Sequence, residues 1–89
     1  MEDKALGMVE NLGLAGTLAA ADAMLRAAPV ELVGKYQAGN LLTVLVRGSW
    51  ADVQTAVRAG TVAAQSTGCF RASQVLSQPV KDIEALFQK

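Results

Sequence analysis

Residues 41–46, Leu-Leu-Thr-Val-Leu-Val, form an unbroken apolar run rich in strand formers. A short run of this kind between turn residues predicts a strand buried on both faces. The segment before it, residues 30–37, reads as a second strand, with Val30 and Leu32 on one face. Gln37-Ala38-Gly39-Asn40 joins the two and is a tight turn by composition. The pair therefore reads as a hairpin.

Helices flank this hairpin in the sequence. Residues 4–10 read as a strand, with Leu6 and Met8 on one face and Ala5, Gly7 and Val9 on the other. Asn11-Leu12-Gly13 is turn material. Residues 14–28 read as a helix in which Leu14, Leu18, Ala21 and Leu25 fall on one face. Pro29 closes it, because proline disfavours a helical conformation at the residue before it. After Gly48, Ser49 is a good N-cap, and Asp52 places a negative charge near the helix N-terminus, where it is favoured. This second helix runs to about Ser66, with Val53, Val57 and Ala64 facing inward and Gly60 permitting close packing. Residues 69–76 read as a fourth strand. Beyond Pro79, Ile83, Leu86 and Phe87 predict a short C-terminal helix.

The order is β-α-β-β-α-β with a tail helix, an α+β chain of the ferredoxin-like kind. It implies a four-stranded antiparallel sheet with two helices on one face. Many unrelated functions use that arrangement, so it names none.

Bulk properties narrow the choice. Eighty-nine residues make one domain with a modest core. Yet 52% of the residues are hydrophobic and 18% are charged, which leaves more apolar surface than so small a core hides. An oligomer would bury the excess. Eight Lys and Arg balance eight Asp and Glu, and no basic stripe marks a nucleic-acid binder. Near-zero net charge favours association. No apolar run approaches the roughly 20 residues that span a bilayer, and the acidic start, Met1-Glu2-Asp3-Lys4, is unlike a signal peptide. The single cysteine, Cys69, fits a reducing compartment. The chain is expected to be soluble and cytoplasmic, without membrane or nucleic-acid partners.

Catalytic chemistry is hard to build from these residues. The chain has no histidine, which removes the usual general base near neutral pH and any Cys-His or Ser-His nucleophile. Cys69 and the scattered carboxylates give no metal-ligand spacing, and a small buried residue opening a strand is the favoured role for Cys69. Gly34, Gly39 and Gly48 lack dinucleotide-fingerprint spacing and suit turns and close packing. Trp50 suits an interface anchor or a contact within its own subunit equally well. Tyr36 suits packing at a strand end better than stacking on a ligand. No catalytic residue, metal or cofactor is expected.

Several ordered pieces carry a resemblance. They are Ala5-Leu6-Gly7-Met8-Val9-Glu10, Gly13-Leu14, Ala20-Ala21-Asp22-Ala23-Met24, Val30-Glu31-Leu32-Val33-Gly34, Thr43-Val44-Leu45-Val46-Arg47-Gly48, and the Ala-Gly-rich helix around Gly60. Together, from Ala5 to about Phe87, they resemble the single-domain bacterial microcompartment shell proteins. The resemblance implies one shell (BMC) domain over residues 1–89, a homohexamer, and tiling with neighbouring hexamers and other shell proteins around encapsulated enzymes. It also implies a central pore for small polar metabolites.

Residue by residue, the resemblance places Arg26 where the family usually has a lysine at the hexamer edge. Arginine keeps the charge and the apolar stem, but its planar fork packs differently. Gln37, Ala38, Gly39 and Asn40 fall on the pore loop, one residue shorter than the family's lysine-hydrophobic-glycine-serine-glycine pattern. A pore so lined would favour small neutral polar molecules over ions. Gln78 stands where the family has the arginine of a proline-arginine-proline edge motif, so sheet assembly is either weaker or specialised to a partner shell protein. The rival reading is a small-ligand-binding regulatory module on the same fold. That class needs a long flexible loop or a phosphate-binding cluster, and the chain has neither.

Overall fold

The computed structural model describes residues 5–77. In chain order the elements are β1 (Ala5–Leu12), α1 (Leu14–Ala27), β2 (Glu31–Ala38), β3 (Leu41–Gly48), α2 (Trp50–Ser66) and β4 (Phe70–Leu76). The strands form one sheet in the order β2-β3-β1-β4, with every neighbouring pair antiparallel. This is the ferredoxin-like arrangement expected from the sequence. The predicted tail helix, Pro79 and Gln78 lie outside the described residues.

The apolar run behaves as its composition demands. β3 sits between β2 and β1, and Leu42 through Val46 are buried without a break. In β1, Ala5, Gly7, Val9 and Asn11 face the helices, and Leu6 and Met8 face the other way. Opposite them on β3, Val46 pairs with Gly7 and Val44 with Val9. The core grows on this face, where Val9, Val44 and Val46 meet Ala20 and Met24 of α1 and Val53, Ala56 and Val57 of α2.

Small residues bring the layers close. A Cβ on Gly7 would lie 2.5 Å from Val57 Cγ2 and 2.7 Å from Val53 Cγ1, so the absence of a side chain there lets α2 rest on β1. A Cβ on Gly60 would lie 2.6 Å from Met24 Cγ and 3.3 Å from the Ala20 carbonyl oxygen, so α1 and α2 meet through glycine. The Ser49 hydroxyl caps α2 by accepting from the Asp52 N–H at 3.1 Å.

Several boundaries differ from expectation. β1 runs through Asn11 and Leu12, and only Gly13 remains as the bend before α1. Both residues keep their pairing with β3, opposite Leu42 and Leu41, which extends the strand. Val30 precedes β2, and β2 carries a register shift between Leu32 and Gly34. Cys69 is half-buried and lies just before β4.

The largest departure is the apolar face of α1. Leu14, Leu18 and Leu25 are 61%, 60% and 46% exposed. The face that packs inward carries Gly16, Thr17, Ala20 and Met24. Gly60 receives that face, with the Met24 side chain and the Ala20 carbonyl seated against it. The bulky leucines are left on the outside.

Candidate functional site

The tip of the β2–β3 hairpin is built from residues 37–40, all of them exposed. Ala38 and Leu41 pair across the strands, so Gly39 and Asn40 form a two-residue turn. Gly39 has φ +64°, and no residue other than glycine has a positive φ among those described. That sign pattern is a type II′ turn, in which glycine takes the first central position because the left-handed region costs it nothing. The loop is short because the turn closes with two residues.

Two hydrogen bonds hold the tip. The Gln37 side-chain amide donates from Nε2 to the Gly39 carbonyl at 3.0 Å. The Gly13 N–H donates to the Asn40 carbonyl at 2.7 Å, which ties the tip to the start of α1. Thr17 Oγ1 in turn donates to the Gly13 carbonyl at 2.9 Å, and the Leu12 N–H donates to the Cys69 carbonyl at 2.8 Å. The hairpin tip, the first turn of α1 and the entry to β4 therefore form one hydrogen-bonded corner. No side chain of residues 37–40 carries a charge.

Arg26 lies at the other end of α1. Thirteen residues at 1.5 Å each separate it from Gly13, a span of roughly 20 Å. Its Nε lies 3.0 Å from both carboxylate oxygens of Asp22, one helical turn earlier. The side chains are 78% and 65% exposed, so the pair holds the guanidinium in place more than it stabilises the fold. The fold thus puts the predicted pore loop and Arg26 at opposite ends of α1.

Among the described residues, no group of three or more His, Cys, Asp or Glu side chains is placed to hold a metal ion. The Cys69 thiol donates to the Thr67 carbonyl at 3.6 Å. A groove of about 290 Å³ between α2 and β4 is floored by Val57 and Val75 and rimmed by Gln54, Arg58 and Thr61, without a carboxylate. No described helix is long and apolar enough to cross a membrane. Trp50, at the first turn of α2, is 46% exposed, and Tyr36 on β2 is 37% exposed.

One notable residue escaped the sequence reading. Asn11 is fully buried, and neither its Nδ2 nor its Oδ1 has a hydrogen-bond partner among the described residues. Its local composition, Asn11-Leu12-Gly13, is that of a turn. The inward alternation of Ala5, Gly7 and Val9 continues to residue 11, and following it would have placed Asn11 in the core.

Residues 5–79 match the family model described as the BMC domain. Bacterial microcompartment shell protein PduA of Citrobacter freundii is 43% identical over 90 residues, covering 100% of this chain and 97% of that protein. Bacterial microcompartment shell protein EutM of Escherichia coli is 44% identical over 85 residues, covering 94% and 88%. Carboxysome shell protein CsoS1 of Prochlorococcus marinus is 43% identical over 82 residues, covering 90% and 80%. The crystal structure of a microcompartment protein from Desulfitobacterium hafniense superimposes with a TM-score of 0.85 at 27% identity, over 96% of this chain. The chain spans 49% of the length of that structure.

Proposed function

The chain belongs to the BMC domain family, and from that premise we propose how it works as a shell tile. It is a structural component of a bacterial microcompartment shell in the cytoplasm, and not an enzyme, as the relatives named as shell proteins indicate. The whole chain, residues 1–89, acts as one such domain. Six copies form a ring with the Gln37–Asn40 tips at its centre, where they line a pore for small polar metabolites. Arg26 and Gln78 lie at the rim and meet neighbouring hexamers or other shell proteins, and the sheets so formed enclose the enzymes of the compartment.

The observation that carries this reading is the placement of the two ends of α1. The Asn40 carbonyl is bonded to Gly13 at one end, and Arg26 stands roughly 20 Å away at the other. A ring closed around the tips puts Arg26 towards the outside. The surplus of exposed leucine on α1 supports burial against other copies.

Electron microscopy of overexpressed protein tests it. The wild type should form sheets, tubes or filaments. Arg26→Asp places a second carboxylate beside Asp22 and should abolish the sheets while leaving hexamers intact. Sheets that persist unchanged in the variant would remove Arg26 from the edge contact.

A further inference from the structure

Trp50 is the chain's one tryptophan, and it opens α2 with 46% of its surface exposed. Among the described residues no hydrogen bond or ring contact engages its indole. A large apolar ring with a polar N–H is suited to covering by a partner, and here nothing in the subunit covers it. Its place in the fold says what can. A Cβ on Gly48 would lie 3.2 Å from Val30 Cγ1 and 3.7 Å from the Pro29 carbonyl oxygen, so the segment after α1 rests on the end of β3 just before α2 begins. Arg26 precedes Pro29 by three residues, and Trp50 follows Gly48 by two. Both therefore stand at the end of the subunit away from the hairpin tip. Asp22 engages the Arg26 guanidinium through Nε, and the Arg26 side chain is 78% exposed, which leaves the flat faces of the group open.

We propose that Trp50 is a rim anchor whose indole stacks on the Arg26 guanidinium of a copy in the neighbouring hexamer. The inference rests on the reading that this end of the subunit lies at the rim of a ring of six. The partner is a second copy because Arg26 of the same chain makes no ring contact with Trp50. An open cation on one copy and an open indole face on the next are complementary, and tryptophan is the best ring for this contact. The guanidinium is planar and weakly hydrated, so it stacks through a face while its edge keeps the bond to Asp22. Asp52, in the same first turn as Trp50, offsets the positive end of the α2 dipole, which would otherwise repel an approaching cation. Where two hexamers meet about a two-fold axis, the contact forms twice, Trp50 of each copy on Arg26 of the other.

A lone tryptophan makes the test direct. Tryptophan fluorescence is compared between dispersed wild-type hexamers and assembled sheets, and assembly should move the emission maximum to shorter wavelength and lower quenching by acrylamide. Trp50→Leu should raise the protein concentration at which sheets appear by about two- to fivefold, the effect of one exposed cation–π contact, with the native mass still that of a hexamer. Arg26→Gln should raise it to a similar extent, and the double variant should go no further than either alone, because the two changes remove one shared contact. Wild-type hexamers that never associate, or an emission maximum that does not move when they do, overturn the inference and leave the ring intact. So do sheets of Trp50→Leu at the wild-type concentration, and losses that add in the double variant. A Trp50→Leu protein that no longer forms hexamers places Trp50 within the ring and overturns the rim assignment. A wild-type native mass other than six copies or multiples of six overturns the tile reading itself.

Discussion

Single residues in this chain act mostly through what they lack or hold still. Asn11 is fully buried with both amide atoms unpartnered, a position that burial alone should penalise. Asn11→Val removes that penalty at similar volume and is expected to raise stability by roughly 1–3 kcal/mol, measured by urea denaturation. A loss of stability would mean that the amide gains a partner that the described residues do not supply. Arg26 shows the opposite economy. Asp22 precedes it by four residues, the favourable order on a helix, and grips its Nε. The guanidinium is thereby restrained through Nε. This is why the charge-reversing Arg26→Asp variant should act on sheets and spare the subunit.

At the level of elements, α2 rests closely on β1 at Gly7. Gly7→Ala drives a methyl against Val53 and Val57, whose branched side chains have few rotamers to yield into. It should destabilise the subunit by roughly 1–3 kcal/mol. The midpoint of chemical denaturation checks this, and an unchanged midpoint would show that α2 shifts freely on the sheet. Most of the elements were legible in the sequence because each carries its own period or punctuation. The run Leu41–Val46, the Ser49 cap and the glycines at 13, 39 and 48 mark their boundaries without tertiary information. The inward face of α1 was not legible. Its leucines satisfy a helical stripe, but the face that packs is the one that seats Ala20 and Met24 against Gly60, and that contact depends on a partner 36 or more residues away in sequence. The turn composition of Asn11-Leu12 misleads for a similar reason, since pairing with Leu42 and Leu41 overrides local turn propensity. Of the candidate site, the location of the hairpin tip was legible, whereas its hydrogen bonds were not. The bond between Gly13 and Asn40 joins residues that only the folded sheet brings together.

For the whole molecule, the exposed leucines of α1 matter most. Leu14, Leu18 and Leu25 make an apolar stripe on a subunit that is otherwise charge-balanced, and a lone subunit gains nothing from it. Leu18→Asp is expected to shift the protein towards smaller species in light scattering while its circular dichroism stays that of the folded subunit. Assemblies of unchanged size would assign the stripe to some role other than contact between copies. The ring, the pore and the rim all depend on a single stoichiometry, and native mass spectrometry of the intact protein in dilute buffer measures it most directly. The account predicts six copies or multiples of six. A stable monomer or trimer would contradict it.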